Sequence, residues 1–148
     1  MLYYARGSKT DIISDSDLKS ILKEVFDGMG PRKRVLAIPP DFTRLNSHAG
    51  PITRMVNDYF GDALTDVMPA LGTHVPVSES QWKTMFGEIP YGKMIVHNWR
   101  TDVVKLGEVP AEAVAEISEG LWTDPVSVEV NRRIMDETYD LVISPGQV

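Results

Sequence analysis

Apolar residues along this chain follow two periods that take turns. Leu18, Ile21, Leu22, Val25 and Phe26 share one face of a helix, with Ser16 or Asp17 as its cap and Gly28 and Gly30 at its end. Pro31 forbids its continuation. Val35, Leu36, Ala37 and Ile38 are apolar on consecutive positions, which predicts a strand buried on both faces and stopped by Pro39-Pro40. Pro51 suits the first turn of a second helix, whose Ile52, Met55, Val56, Tyr59 and Phe60 recur at helical spacing before Gly61. A second strand is expected over 65–71, weakened near its end by Pro69. Ser78 with Gln81 forms a capping box ahead of a short helix carrying Trp82, Met85 and Phe86.

Further strands are expected over 93–97 and 103–106, then a helix from Pro110 to about Gly120. Val126, Val128 and Val130 alternate with polar residues, while 131–137 fits helix or strand equally. Tyr139 to Ile143 reads as a last buried strand, followed by Ser144-Pro145-Gly146. There is no internal repeat. Strands alternating with helices predict a layered, Rossmann-like α/β domain with a mostly parallel sheet flanked by helices. Loops after such strands build the binding crevice, so a chain ending at such a loop is expected to be the N-terminal α/β domain of a longer, two-domain protein.

The 148 residues fit one domain, and the 43% hydrophobic and 24% charged content is that of a folded chain. A net charge of -6 and a pI near 5.0 give no electrostatic footprint for nucleic acid or anionic lipid. The only basic cluster, Arg32-Lys33-Arg34, precedes a strand and is read as solvating its entrance. Without cysteine there is no disulfide, thiolate nucleophile or Cys-based metal site. No segment has the pattern of a signal peptide or the length of an apolar membrane span, and a cytoplasmic location is expected.

Candidate chemistry gathers at strand ends. Asp41-Phe42-Thr43-Arg44 follows the first strand. Arg44 can grip a carboxylate or phosphate through two parallel hydrogen bonds, and Asp41 could orient Arg44 or a cofactor hydroxyl. The same tetrapeptide also fits an Asx-turn with a surface ion pair. Gly72-Thr73-His74 closes the second strand, placing an imidazole able to move a proton near neutrality on the same edge, although a lone histidine beside a strand is more often structural, held by one backbone hydrogen bond.

His97, before Asn98, Trp99, Arg100 and Asp102, is read as structural or supporting ahead of metal binding, and Arg100 and Asp102 as a local pair, although Asn98, Arg100 and Asp102 could also bind a ligand. His48 fits a solvated turn. No two histidines have the short helical spacing of a metal site, and no P-loop, nucleophile elbow or dinucleotide fingerprint is present.

In order along the chain, Asp41-Phe42-Thr43-Arg44, Gly72-Thr73-His74, His97-Asn98-Trp99 and Tyr139 to Gly146 resemble the N-terminal domain of the lactate racemase family. The likeness runs from about Arg34 onward, and its specific part is the D-x-T-R and G-T-H pair. The resemblance implies inversion of the hydroxyl-bearing carbon of a 2-hydroxy acid by hydride and proton transfer, with a nickel-pincer nucleotide as cofactor in the full-length protein. It makes His74 a proton-transfer residue, puts Arg44 near the substrate carboxylate, and sets Asp41 and Thr43 along the cofactor-substrate pocket.

The family's cofactor-anchoring lysine, nickel-binding histidine and second proton-transfer histidine match no residue here. The partner so implied is a C-terminal domain of the same chain, and the segment alone is expected to be inactive. Two other readings remain. One is a non-catalytic α/β module binding a small anion or nucleotide through the same crevice. The other is a structural or interaction domain in which Trp82, Trp99 and Trp122 serve packing or an interface. The enzymatic reading requires Arg44 and His74 to open onto a shared cavity on one edge of the sheet.

Overall fold

The computed structural model describes residues 1–146 and has two parts, a parallel sheet backed by helices and a separate antiparallel ribbon. Helix α1 spans Asp15–Met29, β1 Val35–Ala37, α2 Ala49–Phe60, β2 Leu64–Val67 and α3 Glu79–Phe86. After these come β3 (Val103–Val109), α4 (Ala111–Ile117), β4 (Val126–Asn131) and β5 (Leu141–Ile143). The sheet has the order β2-β1-β5, with β1 central and parallel to both neighbours. The expected layered α/β fold is therefore present.

Why β1 sits in the middle is visible in its composition. Val35, Leu36 and Ala37 are all fully buried, with alternate side chains facing two different clusters. Val35 and Ala37 join Val56, Leu64, Val67, Trp82 and Phe86 on the helical side, while Leu36 joins Met68 and Tyr139 on the other. A strand apolar on both faces can only be accommodated inside the sheet.

The entrance to β5 is fixed by charge. The Asp140 carboxylate accepts the Lys33 and Arg34 N–H groups at 2.8 and 3.1 Å, and the Asp140 N–H donates to the Arg34 carbonyl at 3.0 Å. The Arg34 guanidinium lies 4.4 Å above the Tyr139 ring, whose hydroxyl donates to Asp66 at 2.6 Å. Burial, then the bond to Asp66, pushes the Tyr139 hydroxyl up to about 12. The basic cluster thus has a structural task, holding β1 and β5 together where they begin.

Several boundaries differ from the sequence expectation. The cap of α1 is Ser14, because it alone completes a box with Asp17: the Ser14 N–H donates to the Asp17 carboxylate at 3.0 Å and the Ser14 hydroxyl accepts the Asp17 N–H at 3.2 Å. The expected box of Ser78 and Gln81 is present on α3. Strand β2 stops at Val67 as a regular strand, although pairing resumes at a bridge between Pro40 and Ala70. The strand expected over 93–97 reduces to one bridge, Met94 to Val67, after a 3-10 turn at Tyr91–Lys93.

Strands β3 and β4 join each other, with Val104 opposite Val130, and leave the main sheet alone. The ambiguous stretch after β4 is a 3-10 turn at Arg132–Met135.

Helices α2 and α3 approach closely at Gly50. A Cβ there would run into the backbone carbonyl of Met85, which already accepts from Arg54 at 3.0 Å. Because backbone on both sides must move, Gly50→Ala is expected to destabilise the protein by about 1–3 kcal/mol, the range of overpacked cores. Denaturant melts of the two proteins measure this, and an unchanged midpoint would contradict the packing described.

Candidate functional site

The site is built where β1 and β2 run past their regular ends. The Met68 N–H donates to the Ala37 carbonyl at 2.8 Å, and the Ala70 N–H donates to the Pro39 carbonyl at 2.7 Å. The two prolines lack N–H groups, yet their carbonyl side can still accept, so the strands stay paired to the mouth of both loops. The loops beginning at Asp41 and Leu71 are consequently neighbours.

The first loop is a 3-10 turn, Phe42–Ser47, capped by Asp41. Asp41 Oδ1 accepts the Thr43 N–H at 3.2 Å and the Thr43 hydroxyl at 2.5 Å. The second loop turns on Gly72, whose φ of 56° is in the left-handed region that a residue without Cβ enters freely. The His74 N–H donates back to the Leu71 carbonyl at 3.0 Å, closing the turn. Its imidazole Nδ1 thereby lies 2.7 Å from Asp41 Oδ2.

The pair is asymmetric in exposure. The Asp41 side chain is 7% exposed and that of His74 54% exposed, so a buried carboxylate holds a ring that faces outward. Burial raises the Asp41 carboxyl, but hydrogen bonds from Thr43 and His74, with the charge His74 can carry, outweigh it and hold the group below its ordinary 3.8. An ionised Asp41 accepts a proton-bearing Nδ1, which leaves the lone pair on Nε2. Among the described residues Nε2 has no hydrogen-bond partner. Such a ring can take a proton from a hydroxyl, and the carboxylate behind it would stabilise the imidazolium that forms.

Arg44 stands on the same loop and lines a cavity of about 240 Å³ together with Ile38, Pro40, Ser47, Ala70 and Ser144. Among the described residues its guanidinium makes no ion pair. His74 is on the same edge, joined to this loop through Asp41, but it does not line the Arg44 cavity. The shared edge expected from the sequence is present; the single shared cavity is not.

Asp41 has partners on both sides of its carboxylate. With both oxygens engaged by Thr43 and His74, it orients the imidazole, and Thr43 contributes by filling the other carboxylate oxygen.

The remaining histidines are elsewhere. His97 Nδ1 is 2.8 Å from the side-chain amide of buried Asn131, a bond that ties the segment before β3 to the end of β4. His48 sits in the left-handed region at the start of α2 and bonds Asp15 at 2.9 Å. Arg100 stacks on Trp99 at 4.0 Å, and it is the Asn98 N–H that bonds Asp102, at 3.3 Å. The described residues contain no group of three His, Cys, Asp or Glu able to hold a metal ion, and no helix long and apolar enough to cross a membrane.

No protein-family profile and no curated protein matches the chain. Among solved structures it is similar to the crystal structure of a protein from Thermotoga maritima, a structural genomics target, with a TM-score of 0.68 and 22% identity. The match covers 88% of this chain and 33% of that one, so the chain spans about a third of that protein's length. The shared property is the fold.

The sign of the Asp41 shift fixes a pH dependence. A carboxyl held lower in the folded than in the unfolded chain contributes stability that is complete above its ordinary value and lost as pH falls through the folded value. Asp41→Asn is therefore expected to be less stable than the parent at neutral pH, with the gap closing below about pH 4. Denaturant melts across this range check it. A gap independent of pH would rule out the ionised pair.

Proposed function

We propose that this chain is the substrate-facing N-terminal half of a racemase or epimerase acting on a 2-hydroxy acid, such as lactate. What supports the reading is that the Asp41–His74 pair and Arg44, which makes no ion pair among the described residues, stand on one edge of a parallel sheet; because His74 does not line the Arg44 cavity, a substrate touching both has to lie across the open edge between them. Arg44 grips the substrate carboxylate through paired hydrogen bonds. His74 Nε2 draws the proton from the 2-hydroxyl, and Asp41 steadies the charge the ring acquires. Loss of that proton together with the hydride from the same carbon leaves a 2-keto acid, and return of both with the hydride on the opposite face inverts the centre.

The resemblance supplies a nickel-pincer nucleotide as the group that takes and returns the hydride. The described residues fit only part of such a group. Arg44 and the small cavity it lines suit an anion, whereas no metal-ligand set is present among them. In this reading nickel ligation falls to groups outside the described residues, and Asp41 and Thr43 serve the cofactor pocket by shaping its edge. Arg44, which makes no ion pair among the described residues and lines a cavity, also fits a module that only binds a small anion. Tight, nickel-independent anion binding without turnover is the outcome that would favour that alternative.

In the full-length, cofactor-loaded protein, His74→Ala is expected to lower kcat for lactate inversion by about 10²–10⁴-fold, the usual worth of a positioned acid-base group. Arg44→Ala is expected to act mainly on KM if its grip is equal in ground and transition states. Chiral assay of both stereoisomers measures each effect, and parental rates in both variants would defeat the proposal.

A further inference from the structure

A second cavity, of about 430 Å³, opens between the ribbon and the face of the sheet that carries Leu36. Its walls include Ile38, Met68, Trp99, Val103, Val130 and Ile134, and it lies within the size range of small-molecule sites. Ile38 and Ala70 border both this cavity and the one beside Arg44, so the two adjoin at the end of the sheet.

The polar groups differ between the two compartments. The Arg44 compartment has a cation and the hydroxyls of Ser47 and Ser144. Among the described residues no Lys or Arg lines the larger one: Arg100 stacks on Trp99 without lining the space, and the acidic residue on its wall is Glu129. His97 and Asn131 are already bonded to each other. A carboxylate is thus attracted to one end and repelled from the other, while an apolar group gains by leaving water at the second end.

We propose that the two compartments form one site for a carboxylate bearing a large apolar side chain, its acid group at Arg44 and its side chain against Trp99, Val130 and Ile134. Combined with the reading of Arg44 as the carboxylate grip, this makes the substrate a 2-hydroxy acid with an aromatic or branched side chain. A methyl group, as in lactate, would leave the larger compartment unused.

Calorimetric titration of the full-length protein with 3-phenyllactate and with lactate tests this. Phenyllactate is expected to bind about tenfold or more tightly, as apolar contacts of this size discriminate. Ile134→Glu, at a position 41% exposed where folding should tolerate a charge, is expected to reduce that preference. Trp99→Ala is expected to do the same and serves if the first variant fails to fold. Equal affinities, or a preference unaltered in both variants, would overturn the proposal. Preferential binding of phenyllactate without inversion would leave this site standing and remove the racemase reading. Inversion of lactate with no preference for phenyllactate would do the reverse.

Discussion

The continued pairing of β1 with β2 beyond their regular strands is the constraint on which the site depends. The bond from the Ala70 N–H to the Pro39 carbonyl, at 2.7 Å, brings two loops to one place although they lie far apart in sequence. Without it, Asp41 would cap only its own turn, and His74 would be a solvated side chain on a separate loop. With it, a carboxylate buried by its surroundings finds its second partner in an imidazole that keeps one nitrogen in solvent. The energetic interest is mutual. A buried carboxylate must be hydrogen-bonded to remain charged, and the ring must be held to present one nitrogen in a fixed direction.

The rest of the sheet protects that pairing. Val35, Leu36 and Ala37 bury β1 from both sides, and the Asp140 carboxylate fastens β5 to the start of β1. At the far end, the Ile38 N–H donates to the Ile143 carbonyl at 2.7 Å, so β5 also follows β1 toward the loops. Arg34 and Tyr139 hold the entrance while the loops occupy the exit. Rigid elements thus hold one end of the sheet, and the side chains with chemical potential stand at the other, the usual division in open α/β sheets.

Much of this was legible in the sequence, because period and punctuation are local signals. The unbroken apolar run of β1, the two-proline stop, the Ser78–Gln81 box and the final strand all follow from neighbouring residues. The Ser14 cap was missed because the run Ser14-Asp15-Ser16-Asp17 contains several residues with capping chemistry, and only the reciprocal bonds decide among them. The separation of β3 and β4 from the main sheet was not legible either, since alternation identifies a strand without naming its partner.

At the site, the motifs at 41–44 and 72–74 predicted a common edge. The Asp41–His74 bond joins residues 33 apart and depends on the β1–β2 register, which shifts between Val35 and Leu36. No local pattern carries that information. It also gives Asp41 a partner that its own motif does not name, the imidazole of His74.

The most direct measurement of the central claim is a crystal structure of the full-length protein with lactate bound. The account predicts the lactate carboxylate paired with the Arg44 guanidinium and the lactate hydroxyl on Nε2 of His74, with Asp41 still holding Nδ1. Lactate bound away from both residues, or a His74 ring released from Asp41 and turned out of the site, would contradict it.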